Sequence, residues 1–203
     1  LHGQDSQEML RSGLFACQHA INLNPDLHIG YLNQACLQRE SARAQLVKGQ
    51  PADIRPALDS LTEASKRKPN DSEILTENIE LRLIEAQSLA AHKQAPQSAL
   101  QAAQLHIDSF YQFFHKVHSF YVMSANLLRT KLDLSRASVS LTELQAGLAL
   151  IDEGLRLQPS DPDLRLDKAS VLLHLIELKR GRDSHASLAT AQTLLDSLRP
   201  IRG

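Results

Sequence analysis

The stretch "ALDSLTEASKRKP", residues 57 to 69, sets a small residue at Ala57, an apolar one at Leu61, a small one at Ala64 and a breaker at Pro69. Steps of four and three put the first three on one face of a helix. Small side chains there let a neighbouring helix come close. Proline then ends the helix, because it lacks the next backbone donor and disfavours helix in the residue before it. The same order recurs at Gly13, Cys17, Ala20, Pro25 and at Gly147, Ile151, Gly154, Pro159. Two looser copies, Ala103, Ile107, Phe110, His115 and Ala191, Leu195, Leu198, Gly203, complete a series with successive offsets of 44, 46, 44 and 44 residues. Each copy reads as a packing helix followed by a turn.

Start signals for a second helix follow the turns. "NPD" at 24 to 26, "PNDSE" at 69 to 73 and "PSDPD" at 159 to 163 each offer Asn, Asp or Ser to the free amides of a helix start. Ser160 with Asp163 resembles a capping box, Pro162 suits a first helical turn, and Ser140 with Glu143 is a further capping box. The apolar spacing predicts helices over about 27–47, 72–92, 119–132 and 163–179. Loops fall at "KGQPAD", "HKQAPQ", "DLSRAS" and "KRGRDS". The chain therefore reads as all-α, an array of antiparallel hairpins of about nine helices with a period of about 44 residues. It forms one domain over 1–203, in which each hairpin covers its neighbour's apolar face. Packing helices at both ends keep an uncovered face, which predicts a fragment of a longer protein and weak self-association through the terminal helices.

Composition agrees, with 42% hydrophobic, 22% charged and 4% aromatic residues and only eight Gly and eight Pro. The net charge is -1 and the cations are scattered, so the electrostatic footprint of a nucleic-acid binder is missing. The longest basic run, "KRK" at 66 to 68, falls where a helix end favours cations. Cys17 and Cys36 form no CxxC and read as buried thiols of a reducing, cytoplasmic setting, without a disulfide framework or zinc site. No apolar run approaches the roughly 18 residues a membrane span needs, and no leader pattern is seen, so no membrane partner is expected. Phosphate loops, HExxH, G-x-S-x-G and kinase signatures are absent from this stretch, so the region reads as non-enzymatic and without a cofactor. His115 and His118 stand three apart with no nearby carboxylate or cysteine to complete a ligand set, and no metal is expected.

The segment "FYQFFHKVHSFY", 110 to 121, holds four of the five Phe and two of the three Tyr. Phe110 takes the place of a small residue, and His115 that of a proline. Phe110, Phe113, Phe114 and Val117 fit one broad apolar face that fills a wider joint. Ser119 reads as a cap for the next helix, while Tyr111 and His118 read as the outward-facing parts.

The small-x3-apolar-x2-small-x4-Pro order is similar to the second-helix signature of tetratricopeptide (TPR) repeats. Tyr31 with Ala35, and Tyr121 with Ala125 and Leu128, resemble the first-helix signature, whereas Leu75, Ile79 and Arg82 depart from it. The period exceeds the usual 34 by about ten residues, which makes the array a long-period TPR-like variant. The resemblance implies a right-handed α-solenoid that binds a protein or peptide, or another domain of its own chain, on a face built from the first helices. It places Ile29, Leu32, Cys36 and Arg39, then Glu73, Thr76, Glu80 and Leu83 on that face. The later hairpins supply Ser119, Val122, Asn126 and Arg129, then Asp163, Leu166, Ser170 and Leu173. The candidate partner-binding residues are Arg39, Glu80, Tyr111, His118, Asn126 and Arg129. A Lys and Asn clamp for chaperone C-termini is missing, since Leu32, Cys36, Thr76 and Glu80 occupy those places.

A narrower resemblance lies in "KGQPADIRPALDSLTEASKRKPNDSEI" and "KRGRDSHASLATAQTLLDSLRP". These are similar to Gly-x-(Asp/Pro)-x-x-x-Ala-Leu repeats that follow the catalytic domain of some bacterial serine/threonine protein kinases. That implies the interaction or regulatory extension of a signalling kinase. The competing expectation is a small-molecule sensor with a pocket between hairpins near residues 106–129.

Overall fold

A computed structural model of the chain describes residues 2–115, 117–134, 139–179 and 184–197. Among them are nine helices and no strand: α1 (His2–Leu23), α2 (His28–Val47), α3 (Arg55–Arg67), α4 (Ser72–Ala91), α5 (Gln97–Phe113), α6 (His118–Leu134), α7 (Leu141–Leu157), α8 (Pro162–Lys179) and α9 (Ser184–Ser197). The fold is an all-helical repeat array divided into two compact units, Leu1–Phe113 and Phe114–Gly203. In the first, α2 packs on α1, α3 and α4, α3 also on α4, and α5 on α4. In the second, α6, α7 and α8 pack on one another and α9 packs on α8.

The helices repeat at an offset of 90 residues, with α2, α3 and α4 of the first unit matching α6, α7 and α8 of the second, and α1 matching α5 within the first. Helices α2 and α6 start at His28 and His118, and α4 and α8 at Ser72 and Pro162. Helices α1 and α5 end at Leu23 and Phe113, and α3 and α7 at Arg67 and Leu157. Two hairpin periods therefore make one larger unit, and equivalent residues can be compared position by position.

Local chemistry sets these bounds. Asp71 caps α4 by accepting the Glu73 and Ile74 amides at 2.8 and 3.2 Å, and its equivalent Asp161 accepts from the Leu164 amide at 2.7 Å. The cap of α8 is thus Asp161 and not the expected Ser160–Asp163 box, because Asp161 directly precedes Pro162 at the first helical position. Ser140 and Glu143 do form a reciprocal capping box on α7. "NPD" caps nothing by side chain: Leu27 stands at the N-cap of α2. Ser119 is not a cap either, since α6 begins one residue earlier. At the end of α2, Gly49 takes a φ of 71° while the Gln50 amide bonds back to Gln45 at 2.9 Å, and Lys93 repeats this after α4.

The small positions do what their size allows. Ala57, Ala64 and Ala103 are fully buried. A Cβ on Gly154 would stand 2.7 Å from both Leu164 Cδ1 and Tyr121 Cβ, so this contact admits only glycine without a shift. In the first unit Leu32, Ile54, Leu61, Leu81 and Ile84 form one core with Ala57 and Ala64, and in the second Leu128, Leu144, Ile151, Leu164 and Val171 form another, with Leu164 against Gly154 and Leu128 against Gly147. Arg67, at the end of α3, stacks 4.1 Å from the Tyr31 ring centroid and donates to the Tyr31 hydroxyl and the Pro25 carbonyl.

Two readings of the sequence need adjustment. Cys17 and Cys36 are only partly covered, and both are free thiols. The aromatic segment splits between the units: Phe110 is buried in the first, and Phe120 and Tyr121 stack edge to face at 5.3 Å in the second. Phe113 and Val117 remain largely exposed, so they do not extend the apolar face of Phe110. The Val117 carbonyl accepts the Phe120 amide at 3.0 Å, at the start of α6. Of the expected loops, residues 135–138 of "DLSRAS" and 180–183 of "KRGRDS" lie outside the described residues, as do Leu198 and Gly203 of the last repeat copy.

Candidate functional site

In the first unit the face shared by α2 and α4 carries a ladder of charges. Glu77 Oε2 lies 2.9 Å from Arg39 Nη1, and Arg39 Nη2 lies 3.0 Å from Glu40 Oε1. The same Glu40 oxygen is 3.2 Å from Arg43 Nη1, and Arg43 Nη2 is 3.2 Å from Glu80 Oε2. Arg39 and Glu80, both expected on this face, are thereby joined through Glu40 and Arg43. The ladder runs from buried Glu77 to the half-open Arg43 end, so its inner pair is the energetically weighty one. Burial pushes the Glu77 carboxyl above its ordinary range against the pull of Arg39. Burial and then the Glu77 charge push the neighbouring Cys36 thiol up to about 11. A thiol of that acidity is inert at neutral pH.

The second unit holds the equivalent pair. Arg129 Nε lies 3.3 Å from Asp167 Oδ1, and Arg129 Nη2 donates to Asn126 Oδ1 at 2.9 Å. Asp167 is 1% exposed, and burial pushes its carboxyl up to about 6, with Arg129 pulling against this and Asp163, Asp161 and Asp133 adding to it. Both pairs span 38 residues, Arg39 to Glu77 and Arg129 to Asp167. Around the second pair no ladder can form, because Thr130, Asp133 and Ser170 occupy the places of Glu40, Arg43 and Glu80. On α8, Leu166 and Leu173 are 40% and 37% exposed, where the first unit has Thr76 and a buried Leu83. Spacing of three and four residues puts Leu166, Ser170 and Leu173 on one stripe of α8.

The chain matches no protein-family model and no curated protein.

The remaining candidates fall outside these two faces. Tyr111 is a partly exposed residue near the end of α5, in the first unit. His118 opens α6, with Nε2 3.2 Å from Asp161 Oδ2, so the carboxylate that caps α8 also braces the start of α6. His115 lies in the turn before it, and among the described residues no three His, Cys, Asp or Glu side chains gather as a metal site. Sequence reasoning missed Glu77, Asp167 and Arg43. The signal that finds the first two is an arginine eight residues after the Tyr of each first helix, followed 38 residues on by an acid. Among the described residues no helix is long and apolar enough to cross a membrane.

Proposed function

We propose that this chain is a non-catalytic protein-binding module whose partner segment docks on the α6–α8 face. The observation that carries this reading is Arg129, partly exposed and tied to no charge ladder. Asn126 braces its guanidinium over a buried carboxylate, beside a stripe of two exposed leucines on α8. A braced arginine next to apolar side chains offers one directional contact and a desolvating surround, the arrangement in which a few residues dominate binding. The segment that suits it combines an acidic side chain with apolar neighbours.

A TPR-like assignment supports the same reading. Its residues are Tyr121 and Ala125 on α6 with Gly147, Ile151 and Gly154 on α7, where Gly154 lets the Tyr121 and Leu164 side chains come close. The solenoid geometry and the first-helix binding face belong to this proposal. So does the wider setting, the regulatory extension of a bacterial serine/threonine kinase, which rests on the Gly-x-(Asp/Pro) resemblance around Gly49 and Ala57. Kinase catalytic-loop residues encoded upstream in the same reading frame would support that setting, and an unrelated upstream domain would end it.

Peptide display against the whole chain tests the binding role. Selected peptides are expected to share an acidic residue among apolar ones, and to lose about 30-fold in affinity against Leu166→Glu or Arg129→Gln, as loss of a binding hot spot does. Leu105→Glu, an exposed position on α5, is expected to change nothing. Failure to enrich any peptide, or equal loss with all three variants, overturns the reading.

A further inference from the structure

The α6–α8 face holds more negative charge than its one arginine offsets. Burial pushes the Asp167 carboxyl up, Arg129 pulls against this, and Asp163, Asp161 and Asp133 add to it, so four acids act on one place. Neighbouring basic side chains are engaged: His118 with Asp161 at 3.2 Å, Lys131 with Glu143 at 3.5 Å, Lys168 with Asp152 at 2.6 Å, and Arg165 with the Pro159 carbonyl at 2.9 Å. Asp133 and Asp163 are exposed, and neither pairs with a basic side chain of the described residues. A segment bearing acids alone would meet Arg129 and be opposed by both of them.

Two contacts fix the order of these charges along the face. His118 reaches Asp161 where both helices start, and Arg129 reaches Asp167 further along both, so α6 and α8 run parallel. Asp163 lies one turn before Asp167 on α8, and Asp133 one turn after Arg129 on α6. At 1.5 Å per residue the two acids flank the arginine pair at about 6 Å on either side. A segment lying along this face therefore meets acid, arginine, acid. Asp163 sits in the first turn of α8, where a helix favours an acid, but Asp133 sits in the last turn of α6, where a helix disfavours one. Helix stability does not account for Asp133.

Spacing also sets the form of the occupant. The charges step by one helical turn, and the exposed Leu166 and Leu173 of α8 recur after two. A helix laid along the face has the same rise, so it can bring charged side chains to the acids and arginine at every fourth residue and apolar ones to the leucines from the adjoining stripe. An extended segment matches about 6 Å only in two-residue steps, which put its charges on one side and its apolar side chains on the other, away from the leucines. We infer, on the reading of α6–α8 as the docking face, that the docked segment is an amphipathic helix with a basic residue one turn to either side of the acid that meets Arg129. Each exposed pair contributes little by itself, and its weight falls on the choice of partner. Asp133 and Asp163 thus reject the acid-only segments that Arg129 alone would accept.

A display library of helical peptides, randomised on one face, is selected against the whole chain. The expected peptides carry Lys or Arg four residues before and four after an acid, beside an apolar stripe, and bind more weakly to Arg129→Gln. Asp133→Lys, an exposed change that should leave circular dichroism and melting as in the parent, is expected to weaken a selected peptide about fivefold, the scale of an exposed ion pair. Replacing one of the two peptide bases by Glu should restore binding to that variant and weaken it to the parent. Peptides that depend on Arg129 but carry no flanking bases overturn this pattern and leave the docking face standing. Flanking bases that Asp133→Lys does not weaken, or that the exchanged charge does not rescue, overturn it equally. Failure to enrich any peptide, or enrichment indifferent to Arg129→Gln, overturns it together with the docking face itself.

Discussion

The two units carry the same ion pair at the same spacing and surround it differently. In the first, Arg39 and Glu77 are extended by Glu40, Arg43 and Glu80 into a ladder that fills the α2–α4 face with partners drawn from the fold. In the second, Arg129 has Asn126 and the buried Asp167, while Leu166 and Leu173 stand open beside it. Arg43 against Asp133 decides this, since an acid at that place cannot bridge to a further acid. The pair is thus tied into a charge ladder in one unit and stands beside exposed leucines in the other.

The largest effect expected of any single change comes from the packing helix α5. Phe110 is buried, whereas its 90-residue counterpart on α1, Ala20, is exposed. Phe110→Ala should cost about 4 kcal/mol in urea titration, as buried Phe truncation does. An unchanged midpoint would break the contrast between α5 and α1.

Next comes the closed pair. Arg39→Ala strands a carboxylate that has little water, and a loss of about 3 kcal/mol is expected. Adding Glu77→Gln should restore most of it. If the double variant is no better than the single, the ladder is not what holds Arg39.

A smaller asymmetry tests the glycine position. Gly154→Ala forces a methyl against Tyr121 Cβ, with an expected cost of about 2 kcal/mol. The equivalent α3 site already holds Ala64 fully buried. Equal tolerance of alanine at both would show that the second unit packs no tighter than the first.

The smallest effect is a pH slope. Asp167 is raised in the folded chain to about 6 from an ordinary value of 3.8, so the native state holds its proton more firmly than the unfolded one. The resulting stabilisation is fully present below about 4 and is lost as pH rises through about 6. Lowering the pH from 7 to 5 should therefore contribute about 1 kcal/mol through this group, and Asp167→Asn should remove that increment from the melting curves. A variant with the parent's slope would show that Arg129 keeps Asp167 charged throughout, making the two pairs alike after all.

Much of this was legible in the chain. The helix predicted over 27–47 is α2 at His28–Val47, and the one over 72–92 is α4 at Ser72–Ala91. Ala57, Leu61 and Ala64 are all buried as their spacing requires. Arg39, Glu80, Asn126 and Arg129 were legible as residues of the first helices, because periodicity reports which stripe a residue occupies. Their partners were not, since Glu77 and Asp167 sit one step off that stripe, where the side chain turns toward the neighbouring helix. Caps were read to within two residues: a run such as Ser-Asp-Pro-Asp holds several acceptors, and only the position of the first helical turn selects Asp161.

Helix number, length and spacing are properties of local sequence, because capping, proline and the 3.6-residue period act over a few bonds. The division into two units, the burial of Phe110 beside the exposure of Phe113, and the closure of one arginine pair but not the other belong to tertiary structure. The pairs depend on which side chain arrives from a helix 38 residues away, and at that distance the packing of helices, not the order of residues, sets the partner.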